Sequence, residues 1–132
     1  NAGLLTVYDA GFISLDKQFL TIGINGMTEA AEYLGLQPGN NAPYLDFVRG
    51  QLKIIYDANR QARQDYGYMF NTEFVPAENL GVKNAKWDRE DGYQVNRDCY
   101  NSYFYLVEDE QNNLLDKFVL HGKTLLEYSR TA

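Results

Sequence analysis

The sequence has one cysteine, one histidine and three prolines among its 132 residues. A lone thiol, Cys99, excludes an internal disulfide framework and any cysteine-based zinc site within these residues, and it suits a reducing, cytoplasmic setting. His121 has no histidine or cysteine partner at metal-ligand spacing and reads as a surface or core-edge residue. There is no glycine-rich phosphate cradle, no Walker lysine and no dinucleotide fingerprint. Lys and Arg number 12 against 18 Asp and Glu, a net charge of -6, which excludes a general nucleic-acid-binding surface but leaves room for a small anion at a local site. No apolar run approaches the length of a membrane span. Asn1, Ala2 and Gly3 carry neither an initiator Met nor a charged leader region, and a piece of a longer chain is the expectation.

What is present suffices for one domain with a core: 45% of the residues are hydrophobic and 23% charged. Tyrosine is abundant at 11 residues, with Tyr100, Tyr103 and Tyr105 clustered, and such rings pack while offering a polar tip to an interface or pocket wall. Residues 4–13 read as a short extended piece and a turn, with Ser14 as a helix N-cap after it. Phe19, Ile22, Met27, Ala30, Ala31 and Leu34 recur at helical spacing, while Gly23 and Gly26 point to close packing or to a strand-to-helix change near Asn25. Gly35 is a helix stop, and residues 36–43 form a loop. An amphipathic helix over 44–63 sets Phe47, Val48, Leu52, Ile55, Asn59 and Ala62 on one face. A charged turn over 87–92, a strand over 102–107, a polar turn over 108–113 and a helix over 114–128 with Leu115, Phe118, Val119, Gly122, Leu125 and Leu126 on one face complete the chain.

The stretch that organises the rest is FNTEFVPAENLGVKNAKWDREDGY, residues 70–93. Alternation places Phe70, Thr72 and Phe74 on one side of a strand, and Pro76 suits the first turn of the helix that follows, with Glu78 in its electropositive start. A strand that feeds directly into a helix aims free backbone N–H groups at the intervening loop, a geometry that favours phosphate. Other constellations give less. Asp88, Glu90 and Asp91 lack the EF-hand alternation, so no metal is expected; Glu29 and Glu32 read as a solvated face; Cys99, despite Arg97 nearby, reads as a buried, inert thiol before a strand.

Four stretches, GLLTVYDAGFISLDKQFLTIGINGMTEAAEYLG (3–35), MFNTEFVPAENLGVKNAKWDREDGY (69–93), RDCYNSYFYLVE (97–108) and DKFVLHG (116–122), resemble the anaerobic, class III ribonucleotide reductases. The resemblance covers nearly the whole chain in one order. It implies an α/β fold in which helices alternate with short strands: a single segment, residues 1–132, of the ten-stranded barrel of the catalytic subunit. The family's radical-bearing Arg-Val-x-Gly-Tyr sequence and its Cys-x-x-Cys zinc module do not occur in these residues, and Cys99 lies after the finger-loop region and is given no thiyl role. No cofactor is therefore expected in this segment, and the segment alone is expected to be inactive.

The resemblance also implies that the parent protein reduces ribonucleoside triphosphates by glycyl and thiyl radical chemistry, with electrons from formate or a thiol system, as a homo-oligomer activated by a radical-SAM iron–sulfur enzyme. The expected partners are the substrate, the activating enzyme and the remainder of the subunit, with no membrane and no direct nucleic acid. In such enzymes a strand–loop–helix junction holds the substrate phosphates, and the matching residues are Pro76, Ala77, Glu78 and Asn79, with backbone N–H groups making the contacts and Glu78 capping the helix or turning away. Asn25 and the tyrosines 100–105 are secondary candidates for the barrel lining, with core packing the favoured role for both. The competing reading is a non-enzymatic acidic α/β interaction domain with a tyrosine-rich binding surface, which requires an exposed patch of Tyr100, Tyr103 and Tyr105.

Overall fold

The computed structural model describes residues 3–74, 76–106 and 112–128, the side chains of 125–127 excepted. The elements in order are α1 (Thr6–Asp9), a 3-10 turn (Leu15–Lys17), β1 (Phe19–Ile24), α2 (Met27–Tyr33), α3 (Ala42–Tyr66), β2 (Met69–Phe74), α4 (Glu78–Glu90) and α5 (Leu114–Tyr128).

The two strands pair in parallel, from Phe19 opposite Met69 to Ile24 opposite Phe74. Parallel pairing needs a long crossover, and α2 with α3 supplies it. α3 starts cleanly because the Asn41 side chain accepts the Tyr44 N–H, Pro43 needs no donor in the first turn, and Gly67 at φ 73° ends the helix in the left-handed region. Its stripe is as expected: Val48, Leu52 and Asn59 are buried. Asn59 Nδ2 donates to Thr72 Oγ1 at 2.8 Å, which tethers α3 to the Phe70, Thr72, Phe74 side of β2. The core is Met27 and Ala31 of α2, Tyr44, Val48 and Leu52 of α3, Phe104, and Leu120 of α5. Tyr44 is fully buried and its hydroxyl donates to the Phe104 carbonyl. Burial first, then the nearby Glu29 and Glu32 charges, push that phenol well above its ordinary range.

Several expectations need correction. The N-terminal stretch is helical where an extended piece was expected, because Leu5 and Thr6 carbonyls find local acceptor roles for Tyr8, Asp9 and Ala10 N–H groups without a strand partner. Ser14 precedes only a 3-10 turn and makes no side-chain cap; its hydroxyl meets the Asp16 carboxylate instead. Over 19–34 the strand-to-helix alternative holds rather than one continuous helix: the change falls at Asn25 and Gly26, where Gly26 takes φ 79°. Gly35 does end α2, at φ 76°. Pro76 lies outside the helix, whose N-cap is Ala77. The charged residues 87–90 stay in α4, supported by the Lys86–Glu90 pair one turn apart, and only Asp91 and Gly92 turn.

Residues 101–106 form no strand, because Asn101 captures the Tyr103 N–H and the Tyr105 carbonyl with its own side chain. Val107 and most of the polar turn after it lie outside the described residues. α5 packs through Leu120 and Thr124, so that Leu115, Phe118, Val119 and Gly122 of its expected inner face are exposed, and the side chains of Leu125 and Leu126, the rest of that face, lie outside the described residues. Helix predominates among the described residues, and the alternation with strands is limited to one parallel pair.

Candidate functional site

β2 ends at Phe74 and α4 begins at Glu78, so the junction occupies the C-terminal end of a parallel strand pair, where α/β folds place ligands. Pro76, Glu78 and Asn79 are exposed and Ala77 is half-buried. Ala77 is an N-cap without a capping side chain. The first intrahelical bond is Gly81 N–H to the Ala77 carbonyl at 2.8 Å, which leaves the N–H groups of Glu78, Asn79 and Leu80 without a protein acceptor among the described residues. α3 differs here, since Asn41 consumes one of its first-turn donors. The Glu78 side chain makes no cap and points to solvent.

The segment 97–102, distant in sequence, ties this junction to the end of β1. Ser102 Oγ accepts the Ala77 N–H at 3.0 Å and Asn25 Nδ2 at 3.2 Å. The Asn101 carbonyl accepts the Gly26 N–H at 2.9 Å, and Tyr100 N–H donates to the Gly81 carbonyl at 3.2 Å. Cys99 is half-buried rather than buried, is followed by no strand among the described residues, and its Sγ donates to the Glu78 carbonyl at 3.5 Å. Asn25 thus joins the site, with its Oδ1 buried and unpartnered. Ser102 was missed because SYFY has strand composition; the adjoining Asn101 and Ser102, polar and turn-favouring, were the available signal.

The expectation of a solvated face for Glu29 and Glu32 is overturned. Glu29 is buried, accepts the Asn101 N–H at 3.0 Å and the Thr28 hydroxyl at 2.9 Å, and shares Arg97 with Glu32. A cation 65 positions beyond Glu32 does what no local pattern announces. Glu29 and Glu32, with Asn25, Tyr33, Asp88 and Tyr100, border a cleft of about 810 Å³ that does not reach Pro76 or Asn79. The Tyr100 hydroxyl donates to Asp88, and burial first, then that bond, push its phenol up to about 12.

Tyr103 and Tyr105 stack at 5.7 Å while Tyr100 turns to Asp88, and all three are half-buried, so they do not form the exposed patch of the interaction-domain reading. His121 is exposed, 6.0 Å from the Phe104 ring. Among the described residues no group of three or more His, Cys, Asp or Glu could hold a metal ion, and no helix is long and apolar enough to cross a membrane.

Residues 4–129 match the family model described as anaerobic ribonucleoside-triphosphate reductase. The fold is similar to solved structures of the anaerobic ribonucleotide reductase from Thermotoga maritima. The one with dATP bound in its specificity site has a TM-score of 0.81 at 28% identity and is matched over 96% of this chain and 22% of that one. The one in complex with dATP and CTP gives 0.83 at 29%, over 98% of this chain and 23% of that one. The one with citrate in the active site gives 0.83 at 29%, over 98% and 25%. The chain thus spans about a quarter or less of the length of these structures. No curated protein matches.

Proposed function

We propose, for a chain that belongs to the anaerobic ribonucleoside-triphosphate reductase family, that it is a section of the catalytic barrel and that its β2–α4 junction holds the phosphates of a ribonucleoside triphosphate. The observation that carries this reading is the open first turn of α4. Three adjacent N–H groups, those of Glu78, Asn79 and Leu80, have no acceptor among the described residues, at the helix end where the macrodipole favours negative charge. Pro76 sets the entry of the chain and Ala77 the cap, so the donors come from backbone and the exposed Glu78 carboxylate is free to swing away from an incoming anion.

In this reading β1 and β2 are two of the ten barrel strands, and the open edges of the pair are where their neighbours add. The parent enzyme is cytoplasmic and homo-oligomeric and makes deoxyribonucleotides for DNA replication. Its glycyl radical and the radical-SAM iron–sulfur enzyme that installs it belong outside this segment. Cys99, a single thiol bonded to the Glu78 carbonyl, fits neither a cluster ligand set nor the thiyl position. The segment contributes scaffold and phosphate binding and does not turn over alone.

The test is a structure of the full reductase carrying this segment, soaked with CTP. Phosphate oxygens within hydrogen-bond distance of the amides 78–80 are expected. CTP bound in the barrel with its phosphates elsewhere would reduce the junction to scaffold.

A further inference from the structure

The first turn of α4 has no cap of its own, yet its start is fixed, because Ser102 reaches in from another part of the chain. Ser102 is 7% exposed. Its oxygen accepts the Ala77 N–H at 3.0 Å and Asn25 Nδ2 at 3.2 Å, and so links the ends of both parallel strands. A Ser or Asn at the N-cap position itself would consume one of the first-turn donors, as Asn41 does in α3. Ser102 instead binds the N–H of the N-cap residue, one position before those donors, and takes none of the three, which have no acceptor among the described residues.

The hydrogen bonding at this bridge is incomplete in a way that points to a ligand. A hydroxyl has one proton to give and two lone pairs. Ser102 uses both lone pairs, and its proton has no acceptor among the described residues, while Asn25 Oδ1 is buried and also unpartnered. Turning the Asn25 amide over would satisfy the hydroxyl but strand the amide nitrogen, so one buried polar group stays unmatched either way.

We propose that Ser102 is a positioning residue of the phosphate site: it locks the α4 N-terminus to the end of β1 so that the Glu78, Asn79 and Leu80 N–H groups are pre-aimed at the anion. This rests on the phosphate-binding reading of residues 76–79. The experiment is amide hydrogen exchange in the full reductase, with and without CTP. In the unaltered enzyme CTP is expected to slow exchange at 78–80 by tenfold or more. Ser102→Ala is expected to lose that protection and to bind CTP about tenfold more weakly, the scale of one buried hydrogen bond. Ser102→Cys keeps the volume but offers a weak acceptor and is expected to do the same; Ser102→Thr, which keeps the hydroxyl, is expected to retain protection. Unchanged exchange across α3 identifies the variants that are folded, and a folded one of either class serves. Protection that survives in folded Ser102→Ala or Ser102→Cys, or that is lost in folded Ser102→Thr, overturns the role of Ser102 alone. No protection at 78–80 in the unaltered enzyme overturns the phosphate reading and this inference with it.

Discussion

Arg97 reaches from the segment after α4 to α2, where its guanidinium meets both oxygens of Glu32 at 2.5 and 2.7 Å and one oxygen of Glu29 at 3.4 Å. The Glu29 side chain is 8% exposed and that of Arg97 29%, so this cluster is neither a surface pair of negligible worth nor a fully buried one. Removal of the cation leaves Glu29 with neutral donors only, those of Asn101 and Thr28. Arg97→Gln is expected to cost about 2 kcal/mol in a urea titration, between the surface and buried limits. The pH dependence has a definite sign. The hydrogen bond from Arg97 holds the Glu32 carboxyl below its ordinary range, against burial, with the Arg97 charge adding to the lowering. A lowered carboxyl stabilises the fold fully above the unfolded value of about 4.3 and loses that contribution as pH falls through the folded value. The gap between wild type and Arg97→Gln should therefore close below about pH 4. A gap that stays constant down to pH 2 or so would show that the pair does not set the acid limb.

At the scale of elements, α4 and the segment across it are fitted through Gly81. A Cβ there would lie 2.6 Å from the Tyr100 carbonyl oxygen, 3.0 Å from Cys99 Sγ and 3.2 Å from the Tyr100 nitrogen. Helix propensity alone would make Gly81→Ala stabilising by about 1 kcal/mol. The clash is with backbone that also donates to the Gly81 carbonyl, so overpacking at about 1–3 kcal/mol wins and the variant is expected to be less stable. Gly50 is the control: it lies inside α3 with open space around its Cβ position, and Gly50→Ala is expected to gain about 0.5–1 kcal/mol. Denaturant midpoints that move in the same direction for both variants would refute the packing argument. The contrast also marks what could be read from the sequence. α3 was legible because its order is local, a stripe of period 3.6 between Asn41 and Gly67, and the β2–α4 junction was legible because alternation stops at a proline. The segment 97–106 was not, since its shape is set by Glu29, Ala77 and Gly81, and no window of contiguous residues contains those partners. The donors of the candidate site could thus be placed from sequence, while Ser102, which holds them, could not.

For the whole molecule the unsettled quantity is surface. Leu114, Leu115 and Phe118 stand 67–73% exposed along one side of α5, and among the described residues the two-stranded sheet has an unpaired edge on each side. Neighbouring barrel strands and helices would cover such surfaces in the proposed parent, but the 132-residue chain has only copies of itself. Burying a side chain the size of leucine or phenylalanine yields about 1.5–3 kcal/mol, so a patch of three or four in each copy competes with an association cost of roughly 4–15 kcal/mol. The balance gives weak association, which the net charge of -6 on each copy opposes at low ionic strength. Sedimentation of the isolated chain is therefore expected to show a mass that rises above the 15.1 kDa monomer with concentration, and rises further when salt screens the charge. Leu115→Lys combined with Phe118→Lys should return it to monomer if α5 is the contact, since both side chains are exposed and their loss leaves the core of Tyr44, Phe104 and Leu120 intact. Association that persists in the double variant would assign the contact to the strand edges. A monomer at every concentration and salt would show that the charge outweighs the exposed apolar surface.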